Sequence, residues 1–282
     1  MTESTDQFIH QILDYYAAGG EETRLKSGIG LIEYERTKEI LLRYLAPAPA
    51  VIYDIGGATG IYSLWLAKLG YKVHLLELSP ANIDRARVLS AQQADHPLAS
   101  AEVADGRSIP RLDQSADAVM VMGPLYHLSE RADRIKALQE AWRVLKPGGL
   151  LAAAAITRFG SMLWGLSTYG ASNRMLEDPD FIGMFMRELE DGQHIRPQQL
   201  PFFTRAFFHL PDELCAEVRD AGFVDAEILA VEGPGWIAPN IDALWAEERS
   251  REAILNTVQA VERQPFLIGV SPHMLAVARK EK

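Results

Sequence analysis

Apolar and polar positions alternate between two patterns over the first half of the chain. The runs 51–55, 72–77 and 117–122 are mostly apolar, as in strands that a sheet buries on both faces. Between them, 61–69 and 80–92 carry apolar residues at helical spacing. Strands that alternate with helices in this way predict an α/β fold with a parallel sheet and crossover helices.

The same patterns predict the remaining elements. Further helices are expected at about 7–17, 31–45, 129–145 and 211–221, and Ser129 is the expected cap of the third of these. Further strands are expected at 150–156, 226–231 and 273–279, with a weak strand at 100–104.

A glycine-rich turn follows the first strand. Asp54 lies near the end of that strand, and Gly56, Gly57 and Gly60 follow it before the helical pattern begins. Glycines let a backbone turn tightly beneath a ligand, and the helix N-terminus attracts an anionic group. Glu77, at the end of the next strand, is placed to accept both hydroxyls of a ribose. The sequence therefore predicts a site for a nucleoside cofactor.

The spacing of this turn separates two cofactor classes. It reads Asp54-x-Gly56-x-Ala58-x-Gly60, which does not fit the dinucleotide pattern G-x-G-x-x-G. It resembles instead the Asp-x-Gly-x-Gly-x-Gly motif of class I S-adenosylmethionine-dependent methyltransferases, with Ala58 in place of the middle glycine. Alanine can adopt most of the required turn, and its methyl group is expected to shift the methionine part of the cofactor slightly.

Further segments carry the same resemblance, which covers about 16–151. The motif at 104–106 resembles the loop whose aspartate, here Asp105, accepts the adenine amino group. The segment 142–149 resembles the family's helix-to-turn signature, and 122–128 resembles the loop after strand four in a bacterial small-molecule branch. The resemblance implies a Rossmann-like fold with a seven-stranded, mostly parallel sheet, helices on both faces and an antiparallel last strand. It also implies S-adenosylmethionine as cofactor and S-adenosylhomocysteine as product.

The segment before the first strand resembles the part of related enzymes that closes over the methionine end. Arg36 is expected to pair with the cofactor carboxylate and Tyr16 to donate to it. The alternative for Arg36 is an ion pair with Glu33 or Glu39 along its own helix. The cofactor-binding residues expected from the resemblance are Tyr16, Arg36, Asp54, Gly56, Gly57, Ala58, Gly60, Glu77, Leu78, Asp105, Gly106, Met122 and Leu125.

The loop after strand four faces the transferred methyl group in this family, so Tyr126 and His127 are the candidate catalytic residues. Histidine titrates near neutral pH and can take the proton that methyl transfer releases. The alternative is that His127 caps the next helix or bonds a loop carbonyl. No metal is expected, because the sequence contains no ligand motif such as His-Glu-x-x-His.

Two segments exceed the minimal fold. The stretch 158–205 is rich in aromatic residues and methionine and is predicted to be a substrate lid, and 233–265 is a second insertion. Trp164, Tyr169 and His209 are the candidate substrate contacts, while the alternative is that the aromatic residues pack an extra helical layer. The expected divisions are a helical cap (1–45), a cofactor-binding core (46–157), the lid (158–205) and the rest of the core (206–282).

Composition limits the partners. The net charge of -10 and the lack of a basic cluster argue against nucleic acid, and the longest apolar run, 150–156, is too short to cross a bilayer. Together with the family resemblance, which implies methyl transfer to a nitrogen or oxygen, these limits lead us to expect a cytoplasmic enzyme with a small neutral or cationic acceptor. The alternatives are a nicotinamide-dependent oxidoreductase or a cofactor-binding pericyclase on the same fold, or a non-enzymatic cofactor sensor.

Overall fold

The computed structural model describes residues 24–170, 173–200 and 205–282. Its first helix, α1, spans Ile29–Tyr44. The alternating half of the chain follows, with β1 Val51–Ile55, α2 Ile61–Lys68, β2 Lys72–Glu77, α3 Pro80–Gln92, β3 Ser100–Val103, β4 Ala116–Val121, α4 Pro124–His127, α5 Arg131–Val144 and β5 Leu145–Ile156.

The second half is more irregular and includes two short 3-10 helices, Met175–Glu177 and Gly233–Ile237. Its other elements are α6 Gly160–Thr168, α7 Pro179–Asp191, β6 Gln193–Ile195, β7 Arg205–Phe207, α8 Pro211–Asp220, β8 Val224–Ala230, α9 Ile241–Ala246, α10 Glu248–Val261, α11 Pro265–Ile268 and β9 His273–Arg279. Among the described residues, no helix combines the length and the apolar character that a membrane span requires.

Seven strands form the central sheet in the order β3-β2-β1-β4-β5-β9-β8. β9 is antiparallel to both of its neighbours, and the other pairings are parallel. The predicted seven-stranded, mostly parallel α/β sheet with an antiparallel last strand is therefore confirmed. Ile55 pairs with Leu76 and with Val121, and Ile156 pairs with His273, so these residues all lie at one edge of the sheet. Open α/β sheets bind their ligands at this edge.

Each face of the sheet is covered by helices. Val119 and Met120 are adjacent in β4, and both are fully buried, but they belong to different core clusters. The first cluster includes Leu138 of α5 and Leu214 of α8, and the second includes helical residues Ile40, Leu66 and Ile83. Burial on both faces explains why the central strands are apolar at nearly every position.

The start of α5 and the start of β5 differ from the sequence prediction. Glu130, not Ser129, is the N-cap of α5, and no side chain caps this helix, so the predicted Ser129 cap is wrong. β5 begins at Leu145 rather than at 150, because Leu145 pairs with Ala116 ahead of an irregularity in the register. The helix predicted at 7–17 lies outside the described residues.

Candidate active site

The glycine turn between β1 and α2 lies tightly against the loop after β4. The Gly56 amide donates to the Leu76 carbonyl at 2.7 Å. A Cβ on Gly56, whose φ is +70°, would lie 2.5 Å from Pro124 Cδ, and one on Gly123 would lie 2.7 Å from the Gly56 carbonyl oxygen. Only glycine fits at both positions, so the two loops form one continuous backbone surface at the sheet edge.

Ala58 occupies the middle position of the turn. Its φ is +50°, in the left-handed region that costs an L residue about 1–2 kcal/mol. The Ala58 amide donates to Glu77 Oε2 at 3.2 Å. The alanine therefore keeps the turn conformation, and Gly60, with a φ of +83°, caps α2 as the motif predicts.

Glu77 ties the turn to the end of β2. Its carboxylate is 7% exposed and accepts the Ser79 amide at 2.9 Å in addition to the Ala58 amide. Burial raises the pKa of Glu77, and the amide hydrogen bonds oppose that rise. Leu78, which directly follows, is half-buried. Glu77 thus lies beside the turn, where binding of a ribose requires an acceptor.

Asp54 is a buried carboxylate beneath the turn. It is fully buried, and its Oδ2 accepts the Ser63 hydroxyl at 2.7 Å, whereas its Oδ1 has no hydrogen-bond partner among the residues that the structure describes. Burial raises the pKa of Asp54 to about 7; the Ser63 bond opposes this rise and the Glu77 charge adds to it. A Cβ on Gly57 would lie 2.2 Å from Oδ2, so the backbone closes over the carboxylate. Because the backbone encloses the carboxylate, a ligand acts on it across the turn, and a positive charge bound on the turn would stabilise its charged form.

Asp105 follows β3 and is held by Arg107. The Arg107 guanidinium donates to Asp105 Oδ2 at 2.7 Å, and the Arg107 amide donates to Oδ1 at 2.8 Å. These bonds, against the effect of burial, lower the pKa of Asp105. Arg107 also binds Asp133 at 2.9 Å. Gly106, between the two, approaches Ile55 so closely that a Cβ would lie 3.0 Å from its Cγ2. The predicted adenine acceptor is thus at the sheet edge, engaged in an ion pair.

The short helix α4 forms the wall next to the glycine turn. The Met122 amide donates to the Ile55 carbonyl at 3.0 Å, and the Tyr126 hydroxyl donates to the Met122 carbonyl at 2.8 Å. Leu125 is fully buried, and the His127 ring centroid lies 4.9 Å from that of Tyr126. The predicted loop residues therefore gather at the sheet edge beside the turn.

His127 is buried, with 9% of its surface exposed. Desolvation lowers its pKa to about 3, so the imidazole is neutral at physiological pH. A neutral ring can accept a hydrogen bond, but such a low pKa gives little driving force for taking a proton. The general-base role stays a prediction, and the burial of His127 opposes it because a buried imidazole is a weak proton acceptor.

Arg36 binds carboxylates of the protein itself, which differs from the cofactor contact predicted for it. It is 1% exposed and forms a buried ion pair with Glu262, just after α10, and a partly buried one with Glu39 of its own helix. The Glu39 alternative agrees with this geometry, whereas the Glu262 partner was not anticipated. Tyr16, the other residue expected at the methionine end, lies outside the described residues.

The three candidate substrate contacts pack against, or form hydrogen bonds with, other residues of the protein. His209 is fully buried and bonds Glu217 at 3.2 Å. Trp164 packs edge-on against Phe181 at 6.1 Å, in a cluster that also contains buried Met184. The exposed Tyr169 donates its hydroxyl to Glu177 at 2.7 Å. This packing favours the extra-layer alternative for the aromatic residues at 158–205.

A buried charged cluster at the same sheet edge was missed by the sequence analysis. His273 Nδ1 lies 2.5 Å from Glu232 Oε1 and 3.6 Å from Glu33 Oε2, and the three ligand atoms lie within 4.8 Å of one another. Arg24 also pairs with Glu33. The cluster balances its own charges without an ion if His273 is protonated. Its only sequence signal is that Glu232 and His273 border apolar strands.

Residues 53–153 match the family model described as a methyltransferase domain. The matched segment runs from β1 to β5 and contains the glycine turn, Glu77, Asp105 and His127. Among solved structures, the S-adenosylmethionine-dependent methyltransferase from Methanosarcina mazei has a TM-score of 0.57 at 18% identity, over 86% of this chain and 97% of that chain. That similarity concerns the fold.

Curated proteins match more locally. The chain is 29% identical over 158 residues to dimethylglycine N-methyltransferase of Parasynechococcus marenigrum, which covers 52% of this chain and 53% of that protein. It is 33% identical over 170 residues to a Bos taurus protein named probable tRNA methyltransferase 9B, which covers 57% of this chain and 32% of that protein. The chain spans about half the length, or less, of the first curated relatives that it matches.

Proposed function

Residues 53–153 are a class I S-adenosylmethionine-dependent methyltransferase domain, and on that premise we propose that the chain methylates a nitrogen or oxygen atom of a small-molecule acceptor. The observation that carries the cofactor part of the proposal is the buried Asp54 carboxylate beneath the glycine turn, whose Oδ1 has no partner in the described part of the chain. The reaction releases S-adenosylhomocysteine.

The residues at the sheet edge fit this cofactor. Asp54 and the backbone of the turn would hold its methionine part, Glu77 the ribose, and Asp105 with Gly106 the adenine. Met122 and Leu125 would line the same cleft from the loop after β4. When bound, the cofactor supplies a methyl group on a cationic sulfur that is already an activated leaving group. The chain itself mainly has to align the acceptor and exclude water.

A small acceptor is supported by two observations. The chain carries a net charge of -10, which opposes a polyanionic substrate such as tRNA. One relative acts on dimethylglycine, according to its name, and that compound is a small amine. Incubation of the protein with S-adenosylmethionine and a panel of small amines and hydroxyl compounds tests the proposal. Release of S-adenosylhomocysteine supports it, and release only with tRNA contradicts it.

We expect Glu77→Ala to weaken S-adenosylhomocysteine binding by about 2–3 kcal/mol, because the ribose hydroxyls lose a charged acceptor and the turn loses its tie to β2. Isothermal titration calorimetry measures the change. Glu102→Ala is the matched control, since Glu102 lies in the next strand and pairs with Arg111 instead. Equal affinities for wild type and Glu77→Ala would contradict the ribose assignment.

We expect His127→Ala to lower kcat by about 100-fold while S-adenosylhomocysteine affinity stays within about twofold, because the neutral imidazole would orient the acceptor without contacting the cofactor. With its pKa lowered to about 3, wild-type His127 stays neutral and gives no limb in the rate profile between pH 5 and 8. Initial rates across this range test both statements, with the exposed His96→Ala as control. If the wild-type rate falls at acidic pH and this fall disappears in His127→Ala, the conclusion that His127 stays neutral would be contradicted.

A further inference from the structure

Arg134 of α5 is one of the largest fully buried side chains, and nothing in the proposed chemistry uses it directly. Its Nε and NH2 groups donate to the Glu217 carboxylate, the shortest contact being 2.7 Å. Its NH1 group donates to the carbonyls of Leu128 and Ser129, each at 2.8 Å. These two carbonyls directly follow His127. The guanidinium thus fixes the end of the loop that carries the candidate catalytic residue.

The other side of the same guanidinium contacts β7, which begins where the predicted lid segment ends. The Arg134 guanidinium carbon lies 3.6 Å from the centroid of the Phe207 ring, in β7. Gln193 of β6, the partner strand of β7, donates to the Ser129 carbonyl at 3.3 Å. Two independent contacts therefore join the β6–β7 sheet to the carbonyls after His127.

Glu217 completes the connection. It is 2% exposed and also bonds His209, which follows β7 and whose amide donates to the Ile156 carbonyl at 2.8 Å. Arg134 and Glu217 form a buried pair, so removal of the cation would take the charged donor from a buried carboxylate and from the carbonyls of Leu128 and Ser129. These contacts connect β7 to the His127 loop, so a displacement of β7 would also displace that loop.

We propose that Arg134 is the positioning residue that holds the His127 loop in register with the β6–β7 sheet, so that the position of His127 depends on the position of that sheet. The inference rests on the proposed function, since that function makes the His127 position matter. In this proposal Phe207 and His209 link the β6–β7 sheet to Arg134 and Glu217, and His209 does so in place of the substrate contact predicted for it.

The test compares Arg134→Lys with wild type in the presence of S-adenosylhomocysteine. Lysine keeps the charge but cannot bridge Glu217 and both carbonyls. Hydrogen exchange is expected to accelerate by about tenfold or more at 125–129 and at 205–209 together, and little in the sheet core. Arg143→Lys is the matched control, because Arg143 lies in the same helix and binds two other carbonyls, those of Ile109 and Arg111.

A spectroscopic measurement reports on His127 itself. Its imidazole Cε1–H resonance, assigned with His127→Gln, is expected to shift in Arg134→Lys and to stay in place in Arg143→Lys. Phe207→Leu, which retains the Arg134–Glu217 pair, should produce a smaller shift of the same sign. This variant replaces Arg134→Lys in the test if the lysine variant does not fold.

Three results would overturn the proposal: uniform acceleration across the protein, acceleration in only one of the two segments, or an unchanged His127 resonance. Wild-type affinity for S-adenosylhomocysteine, measured in parallel, tests the proposed function separately. Failure to bind that ligand would refute the proposed function, whereas the exchange and resonance results decide the coupling.

Discussion

Asp54→Asn is expected to stabilise the ligand-free protein by about 1–3 kcal/mol at pH 8, after allowing for burial of the new amide. Burial raises the pKa of Asp54 from 3.8 to about 7, so the folded state binds the proton more tightly than the unfolded state does. Stability from this group is therefore full at low pH and falls as pH rises from about 4 through about 7. Above that range the wild type contains a buried charge that asparagine lacks.

Urea unfolding at pH 5 and pH 8 measures this effect. The variant should exceed the wild type at pH 8 and approach it at pH 5, where the wild-type carboxyl is protonated. Asp84→Asn, whose side chain is 77% exposed, is the control and should change little at either pH. The same Asp54 substitution should weaken S-adenosylhomocysteine binding, because the ligand loses its anionic partner. A variant less stable than wild type at pH 8 would contradict the buried-charge interpretation.

His273→Gln is expected to lower the free energy of unfolding by about 2–3 kcal/mol at pH 6 and by much less at pH 10. Burial lowers the pKa of His273, but the carboxylates of Glu33 and Glu232 outweigh it and raise the pKa from 6.5 to about 9. The stabilisation is therefore complete below about 6.5 and is lost as pH rises through about 9. The charge pair joins α1 to the start of β9.

Urea unfolding of wild type and His273→Gln at the two pH values decides this prediction. The exposed His96→Gln serves as control and should match wild type throughout. A loss of equal size at pH 6 and pH 10 would mean that His273 stabilises the fold through packing and not through its charge.

Periodicity predicted the parallel core well because its strands are buried on both faces and its connections are short. The bounds of β1, β2, α3 and β9 agree with the sequence prediction residue for residue. The seven-stranded topology followed from the family resemblance as well as from the strand count. Burial on two faces leaves a signal that local sequence can carry.

The details that were missed depend on partners far away in sequence. Arg36 binds Glu262, 226 residues later, and His273 binds Glu232 and Glu33 from two other parts of the chain. Arg134 joins α5 to α8 in the same way, through Glu217, 83 residues later. Spacing along the chain cannot reveal such pairs, since only the folded topology brings them together.

The Ser129 prediction failed for a local reason. Serine before an apolar pattern is a common helix cap, but here the Ser129 carbonyl is bound by Arg134, and the helix begins two residues later. For Asp105, the motif gave the position at the sheet edge, whereas the ion pair with Arg107 depends on the conformation of the loop. The sequence thus predicted where the cofactor site lies, but it did not predict the contacts that its residues make without a ligand.

The glycine turn, Asp54 and Glu77 are proposed to form a site for S-adenosylmethionine. Isothermal titration of the wild-type protein with S-adenosylhomocysteine and, separately, with NAD tests it most directly. We expect saturable one-to-one binding of S-adenosylhomocysteine and no comparable binding of NAD. Tighter binding of NAD than of S-adenosylhomocysteine, or no heat of binding with S-adenosylhomocysteine at any pH between 6 and 8, would contradict it.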